Sequence, residues 1–234
     1  MRCVTAGVLL LAAPPQPVRA QAAATGGQVW STGNLWFSLP SHFRVLVSGE
    51  ANTGTDYSYQ QWSAGAGIGY RWKRINTLGH IVNINADKES RATVGAGYEY
   101  LWTDQAGATS AEDRIVVDVT PRFRPQRRLL LDFRNRAEFR WVNGVSSTRF
   151  RTRVTVERDI PVNNWRLTPY VSAEFFYNFA SGTWDEQQYA VGVELPYRRI
   201  AMLQAYYLFQ HSNSAPQNVN VLGLTLNVYL RNGL

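Results

Sequence analysis

Residues 128–160 carry the clearest alternation of apolar and polar side chains in the chain. In the first half of this stretch every second position is apolar except one: Leu129, Leu131, Phe133, Ala137, Phe139 and Trp141. The positions between them are mostly charged: Arg128, Asp132, Arg134, Arg136, Glu138 and Arg140. Because successive side chains of a strand point to opposite faces, the pattern predicts a strand with one apolar and one charged face.

The same alternation resumes after a turn at residues 143–146. One face of this second strand is apolar or neutral: Phe150, Thr152, Val154 and Val156. The other face is charged: Arg149, Arg151, Arg153, Glu157 and Asp159. The two strands form a predicted hairpin, and adjacent strands bring the two charged faces within cross-strand reach.

The remaining chain repeats this kind of segment about a dozen times. No stretch after residue 22 has the 3.6-residue periodicity of a long helix. A soluble sandwich would hide its apolar faces and expose its charged ones, whereas a membrane barrel turns apolar side chains to lipid and polar ones to its interior. The number of such segments and their aromatic ends favour the second arrangement. We predict an all-β protein, an antiparallel up-and-down transmembrane β-barrel.

The pattern predicts about twelve strands, each long enough to cross a bilayer at a tilt. They are residues 29–38, 43–51, 59–72, 78–86, 91–103, 113–123, 128–142, 148–159, 165–178, 187–197, 201–211 and 219–230. Residues 73–90 alternate weakly, and if they form one long connection the count falls to ten. An even count places both chain termini on the periplasmic side and makes residues 39–42 an outer loop.

Trp and Tyr recur near the ends of the predicted strands. The residues concerned are Trp36, Trp72, Trp102, Trp141, Trp165 and Tyr197. Transmembrane barrels carry belts of such residues at the two lipid–water interfaces, which is the role we expect for these six. Aromatic packing in the core of a soluble protein is the alternative.

The first 22 residues have the features of a secretory signal peptide. Arg2 precedes the apolar run 8–13, and Ala20-Gln21-Ala22 is a small-x-small cleavage site. Residues 23–28 are then a flexible lead-in, and residues 29–234 form the barrel. The one cysteine, Cys3, leaves with the signal, which excludes a cysteine nucleophile or a cysteine-based metal site in the mature chain.

Composition agrees with a barrel rather than a helical membrane protein. Aromatic residues make up 13% of the chain and the mean hydropathy is only −0.27, as expected when every second strand residue faces water. Without Arg2 and Arg19 there are 22 basic and 17 acidic side chains, a net charge of +5. The basic residues lie at alternate strand positions. This indicates a positively lined interior, or a surface that meets lipopolysaccharide phosphates, rather than a nucleic-acid interface.

The last third of the chain resembles an uncharacterised family of bacterial outer-membrane barrels, a domain of unknown function. The resembling runs are residues 165–177 (WRLTPYVSAEFFY), 189–194 (YAVGVE) and 222–230 (LGLTLNVYL). The resemblance implies an outer-membrane location and a monomeric barrel, assembled by the barrel-assembly machinery. It implies no activity.

The arginine-rich faces of the predicted hairpin are the strongest candidate site. The candidate lumen residues are Asp132, Arg134, Arg136, Glu138, Arg140, Arg149, Arg151, Arg153 and Glu157. Charged rings set the selectivity of pores, so these residues could form a constriction that favours small anionic solutes. The alternative is a self-paired network that fills a narrow barrel.

Catalysis has one weak candidate. Some outer-membrane lipid hydrolases use a His and a Ser near the membrane, and Gln210-His211-Ser212-Asn213 contains both residue types. Adjacent strand residues point to opposite faces, however, and a base must lie within hydrogen-bond reach of its nucleophile. The three histidines are far apart in sequence, so we predict no metal site and no cofactor.

The sequence therefore predicts a non-catalytic outer-membrane barrel, either a small pore with an arginine-rich lumen or a structural barrel. Two alternatives remain: a lipid hydrolase using His211 and Ser212, and a soluble secreted β-barrel or β-sandwich binder.

Overall fold

The computed structural model describes residues 26–74, 85–163, 165–198, 200–213 and 217–231. The predicted signal peptide and residues 78–84 of the predicted fourth strand lie outside them. The strands are β1 (Gly26–Ser38), β2 (Phe43–Gly54), β3 (Tyr59–Arg74), β4 (Ser90–Gln105), β5 (Ala108–Gln126), β6 (Leu129–Val142), β7 (Val145–Arg158), β8 (Ile160–Val162), β9 (Trp165–Asn178), β10 (Thr183–Tyr197), β11 (Ala201–Ser212) and β12 (Gln217–Arg231). A single 3₁₀ turn, Ala86–Glu89, precedes β4 within the described residues. None of these residues belongs to a helix long and apolar enough to cross a membrane.

Eleven of the twelve strands close into a ring, which confirms the predicted barrel. Each pairs antiparallel with its neighbour from β1 to β7, then β7 with β9, and on to β12. The short β8 pairs with β9 beyond the end of β7 and in the same register, so it extends the β7 edge of β9 rather than adding to the circumference. The structure thus has the predicted number of about twelve strands, but one of them is the short β8, which was not predicted.

The closing pair, β1 with β12, is parallel. Gly26 faces Val219 and Ser38 faces Arg231 along the whole length of β1. We call the end of the barrel where β1 begins end A and the opposite end, where β1 finishes, end B. With an odd number of strands Gly26 lies at end A and Arg231 at end B, so the expectation of both termini on one side is wrong. β1 also starts at Gly26, so residues 26–28 of the predicted lead-in belong to the strand.

The strands alternate as predicted, with apolar side chains outside. Exposed residues of the outer face include Val117, Val119, Val171, Val191, Leu222, Leu224 and Leu226. Their sequence neighbours point inward and are buried although polar, as Glu138, Glu174, Thr225 and Asn227 illustrate. This is the polarity of an outer-membrane barrel rather than of a soluble sandwich.

Connections at end A are short, and those at end B differ in length. The turn between β6 and β7 is Asn143–Gly144, with φ of 48° and 84°. Positive φ at both central residues is what an Asn-Gly hairpin turn provides, and its twist suits two adjacent strands. The connection from β3 to β4 at end B is the longest, and its described part, Asn85–Glu89, lies inside the barrel. This is the region whose alternation is weak in the sequence.

Candidate functional site in the lumen

The lumen has two chemically different walls. The wall formed by β4 to β10 is charged, with Arg and Glu at most inward positions of β5, β6 and β7. The wall formed by β11, β12 and β1 is almost uncharged, with inward amides, hydroxyls and rings such as Gln204, Tyr206, Thr225, Asn227 and Asn34. Two small apolar clusters pack on this second wall: Leu208, Val219 and Val221 near end A, and Met202 with Tyr229 near end B.

Two buried glutamates organise the charged wall. Glu138 on β6 is fully buried (0% exposed) and accepts hydrogen bonds from Arg149 Nε at 2.8 Å and Arg151 Nη1 at 2.8 Å. Glu174 on β9 is 2% exposed and accepts from Arg134 Nη2 at 2.9 Å, Arg151 Nε at 3.0 Å and Arg153 Nη2 at 2.5 Å. Arg151 therefore bridges the two carboxylates and joins strands β6, β7 and β9.

A third carboxylate, Glu112 on β5, continues this network towards end A. Arg140 donates to both of its oxygens, Nε to Oε1 at 2.6 Å and Nη2 to Oε2 at 2.7 Å. Arg114 Nε donates to the same Oε1 at 2.8 Å, and its Nη1 reaches Glu99 at 3.2 Å. Two-point guanidinium–carboxylate contacts of this kind hold both partners in one geometry, so most of the lumen arginines are fixed.

Arg136 is the exception in the middle of this wall. Its nearest carboxylate oxygens are Glu99 Oε1, 3.6 Å from Nη1, and Asp118 Oδ2, 3.8 Å from Nη2. Both distances exceed a hydrogen bond, and its Nε is buried without any partner among the described residues. Arg134, two positions away on the same face of β6, donates one hydrogen bond to Glu174, and its Nε is also buried and unpartnered.

Inward-facing glycines on β3 and β4 leave open space next to Arg136. Gly67 and Gly97 face each other directly across these two strands, and Gly65 and Gly95 lie beside Glu99 and Asp118. Gly67, Gly95 and Gly97 line a cavity of about 810 Å³ that the arginines of β6 and β7 line as well. A cavity of this size can hold a small organic solute.

The lumen is crossed near end B by Lys88, in the 3₁₀ turn before β4. Its ammonium pairs with Glu157 on β7 and with Glu194 on β10, the second at 2.6 Å. The neighbouring Asp87 pairs with Arg44 on β2, and Arg124 on β5 donates to the carbonyl of Lys88 at 2.7 Å. We call the segment Asn85–Ser90 the plug, because Asp87, Lys88 and Ser90 are all buried and reach three parts of the barrel wall.

Opposite charges hold Lys88 in its protonated form. Burial by itself lowers the pKa of Lys88, but the carboxylates of Glu194 and Glu157 outweigh burial and hold this pKa above its ordinary value. The ammonium is therefore charged throughout the physiological pH range, and the plug stays attached by ion pairs.

All nine predicted lumen residues lie inside the barrel. Their pairing involves residues that the sequence did not single out: Lys88, Glu99, Glu112, Arg114, Asp118, Glu174 and Glu194. Glu174 shares the inward face of β9 with Arg166, Thr168 and Ser172, so its orientation was readable from alternation. The partners of Glu174 could not be read in this way, because they depend on the pairing of β7 with β9 across the six residues 159–164.

The six aromatic residues predicted to lie at the lipid–water interfaces do not all have the same surroundings. Trp72 and Tyr197 are exposed on the outer face near end B, and Trp141 is exposed near end A. Trp102 shares that face near end A, where it pairs across strands with the exposed Trp62. The side chain of Trp165 lies outside the described part of the structure.

The prediction that Trp36 lies at the lipid–water interface is wrong, because its ring lies in the lumen. Its Nε1 donates to Asn227 at 3.2 Å, the Arg44 guanidinium lies 3.8 Å from its ring centre, and it stacks on Tyr229. Trp36 has the parity of Gln28, Thr32 and Asn34, whereas Leu35 and Phe37 of the same strand are exposed. Its place near the end of β1 suggested lipid, but its polar neighbours on the same face indicate the interior.

His211 and Ser212 do not form a catalytic pair. The two ring nitrogens of His211 lie 2.9 Å from Asn218 Oδ1 and 3.0 Å from Asn213 Oδ1. Ser212 points to the other face of β11 and donates to the backbone oxygen of Asp185 at 3.5 Å. Within the described residues, no group of three or more His, Cys, Asp or Glu side chains is placed to hold a metal ion.

A family model described as "Protein of unknown function (DUF2490)" matches residues 27–221. The match thus extends well beyond the C-terminal runs that suggested a resemblance. No curated protein sequence matches the chain.

Solved outer-membrane proteins share parts of the architecture at low identity. A bacterial polysaccharide outer membrane secretin is 10% identical with a TM-score of 0.49, and 80% of this chain spans 64% of that one. The β domain of the Bordetella autotransporter BrkA is 12% identical with a TM-score of 0.48, covering 80% of this chain and 83% of that one. The siderophore receptor PirA from Pseudomonas aeruginosa is 11% identical with a TM-score of 0.28, covering 76% and 32%.

Proposed function

Since the chain belongs to the DUF2490 family, whose description gives no function, the lumen is the best guide, and we propose a non-catalytic passage for small anionic solutes. In this proposal the barrel is a monomer in a bacterial outer membrane, exported with a cleaved signal peptide and inserted by the barrel-assembly machinery. Its apolar outer face contacts lipid, and its rims contact lipopolysaccharide.

The observation that carries the proposal is the local excess of positive charge beside the cavity. Around the middle of the lumen four arginines share two carboxylates, Glu138 and Glu174, and Arg136 pairs with neither; the four are Arg134, Arg149, Arg151 and Arg153. Glu99 and Asp118 compensate Arg136 only at 3.6 and 3.8 Å. A unit charge about 4 Å from such a guanidinium gains roughly 4 kcal/mol at an effective dielectric constant of about 20, which is enough to favour anions over cations.

The arrangement of the two walls argues against a purely structural filler. A lumen that needed only to be filled would be satisfied by fully paired charges or by apolar side chains. Here glycines hold open a cavity on β3 and β4 next to the least-compensated arginine. The apolar exterior likewise argues against a soluble binder, and the separation of His211 from Ser212 argues against a lipid hydrolase.

The plug gives the proposed passage a closed resting state at end B. Lys88 joins β4 to opposite parts of the ring through Glu157 and Glu194, so solutes that reach the cavity from end A meet this ion-paired segment. We therefore expect low conductance from the native barrel and higher conductance once the ion pairs are broken.

Conductance in planar lipid bilayers tests this proposal. Lys88→Ala removes both ion pairs of the ammonium and should raise single-channel conductance severalfold, and the reversal potential of the native barrel under a KCl gradient should indicate preference for chloride. Lys73→Ala is the matched control, because Lys73 is exposed at the same end and its ammonium lies over the outer-face ring of Trp72. A cation preference in the native barrel, or equal conductance in both variants and the native barrel, would refute the passage.

A further inference from the structure

We propose that Arg136 and Arg134 form a binding site for a singly charged oxyanion, a carboxylate, in the middle of the lumen. The inference deepens the proposed passage by naming the chemical group that is bound. It rests on that proposal only in requiring that solutes reach the lumen.

The first step is the unused hydrogen-bonding capacity of Arg136. A guanidinium has five N–H donors and no acceptor. Arg136 makes no hydrogen bond with any described residue: its two ion pairs are at 3.6 and 3.8 Å, and its Nε is buried without a partner. The Nε is covered by protein, but Arg136 lines the cavity, so its terminal nitrogens Nη1 and Nη2 are the donors left for a ligand.

The second step is the contrast with the neighbouring arginines. Arg151 and Arg153, directly opposite Arg136 and Arg134 on β7, are held by Glu174, and Arg151 also by Glu138. Like charges directly opposite each other on paired strands repel. The two glutamates relieve this repulsion for the β7 arginines and for one donor of Arg134. An anion bound between the guanidiniums of Arg136 and Arg134, both of which line the cavity, would complete the compensation.

The third step is room for a ligand. The open space lies over Gly95 and Gly97, on the strand that carries Glu99, one of the two carboxylates that Arg136 approaches. A Cβ on Gly97 would lie 2.9 Å from the backbone oxygen of Ala66. Glycine is therefore the residue that lets β3 and β4 approach closely while leaving their inner face bare.

The surrounding charges define the ligand class. The planar fork of a guanidinium matches the two oxygens of a carboxylate or phosphate better than a spherical halide. Glu99 and Asp118 stand within 4 Å of the same guanidinium and would repel a second negative charge. The site should therefore prefer monoanions such as a monocarboxylate over dianions.

Binding is measured on the full-length barrel in detergent micelles by saturation-transfer NMR, with butyrate as the probe. Butyrate should receive saturation from the native barrel, and succinate, a dianion at pH 7, should compete at least about tenfold more weakly than acetate if one uncompensated repulsion costs about 1.4 kcal/mol. Methyl phosphate, which is largely a dianion at pH 7, should compete as weakly as succinate. Chloride should compete least.

Two lumen variants and one external variant decide the assignment. Arg136→Gln should weaken butyrate binding by about tenfold or more, the loss of a charge-assisted pair of hydrogen bonds. Asp118→Asn, which removes a repelling carboxylate and keeps the arginine, should strengthen it. Arg198→Gln, on the exposed turn at end B, should change nothing.

Three results would overturn the site: no saturation transfer in the native barrel, unchanged binding in Arg136→Gln, or unchanged or weaker binding in Asp118→Asn. If Arg136→Gln fails to fold, butyrate binding to the Asp118→Asn variant can still refute the site. Because micelles require no transport, binding without conductance would refute the passage and keep the site, and conductance without binding would do the reverse.

Discussion

Replacing Glu174 by Gln should remove more stability than any other single loss of charge in the described lumen. The carboxylate is 2% exposed and accepts hydrogen bonds from three arginines on β6 and β7. Glutamine has the same shape but no charge, so Arg134, Arg151 and Arg153 would remain in the lumen with less than their full compensation. The electrostatic loss, and not a cavity, is what this variant measures.

The size of the effect follows from the exposure of each partner. The Arg153 side chain is 34% exposed, so its pair behaves like a surface salt bridge worth about 0–1 kcal/mol. Arg151 and Arg134 are 13% and 22% exposed, and breaking a buried pair by removing one partner costs about 3–5 kcal/mol. Because Arg151 keeps its bond to Glu138, we expect a total loss in the free energy of unfolding of about 3–5 kcal/mol.

The assay is equilibrium unfolding in urea of the barrel reconstituted in lipid vesicles, followed by tryptophan fluorescence. The slope of free energy against urea should not change, since the surface exposed on unfolding is the same. Asp118→Asn is the matched control, because this inward carboxylate has one ion pair, at 3.8 Å, and should cost about 1 kcal/mol or less. If Glu174→Gln and Asp118→Asn were equally stable, the arginines would be stabilised by hydration rather than by Glu174, and the network would have no structural role.

Two further variant pairs test the two faces of the sheet in the same unfolding assay. Gly97→Ala places a Cβ 2.9 Å from the Ala66 backbone oxygen and should lower the free energy of unfolding by about 1–3 kcal/mol. Gly33→Ala, whose Cβ would have nothing within 4 Å, should stay within about 0.5 kcal/mol of the native barrel. Equal effects of the two variants would show that β3 and β4 can separate freely. Leu224→Arg, on the exposed outer face midway along β12, should lower the free energy of unfolding by about 2–4 kcal/mol. Leu230→Arg, near the end of the same strand, should lower it by about 0–1 kcal/mol. The opposite order would contradict the proposed contact of this face with lipid.

The fold could be predicted because its main determinant is local. Alternation of side-chain polarity fixes which face of each strand points outward, and that information is complete within eight or ten residues. The polarity of β6 and β7, with Phe139 outside and Glu138 inside, was readable in this way. Trp36 was assigned wrongly because its position near a strand end was given more weight than the polar residues Thr32 and Asn34 on its own face.

The parity of the strand count depended on a segment with no strand pattern. Residues 73–90 alternate weakly because the described part of this connection, Asn85–Glu89, turns into the lumen and serves neither lipid nor a strand pair. In the sequence Asp87 and Lys88 look like residues of an exposed loop. They are buried as ions because Arg44 pairs with Asp87, and Glu157 and Glu194 pair with Lys88. These partners lie from 43 to 106 positions away, so no local signal could have revealed them.

The charge balance of the lumen was also hidden, for the same reason. The sequence shows an excess of arginine on β6 and β7, but not that Glu174 would come within 3 Å of three of them or that Arg136 would be left without a hydrogen bond. Those outcomes depend on strand register, which places Arg153 opposite Glu174 on β9. The distinction between a filled lumen and a binding lumen could not be made without it.

The parallel seam between β1 and β12 determines how the chain is distributed across a membrane. A segment leaving Gly26 and one leaving Arg231 would emerge in different compartments. The seam also joins the first strand to the last, so the sheet cannot be sealed until the whole chain is present. Loss of a hairpin would preserve this topology, whereas loss of one strand would make the seam antiparallel and bring both segments into the same compartment.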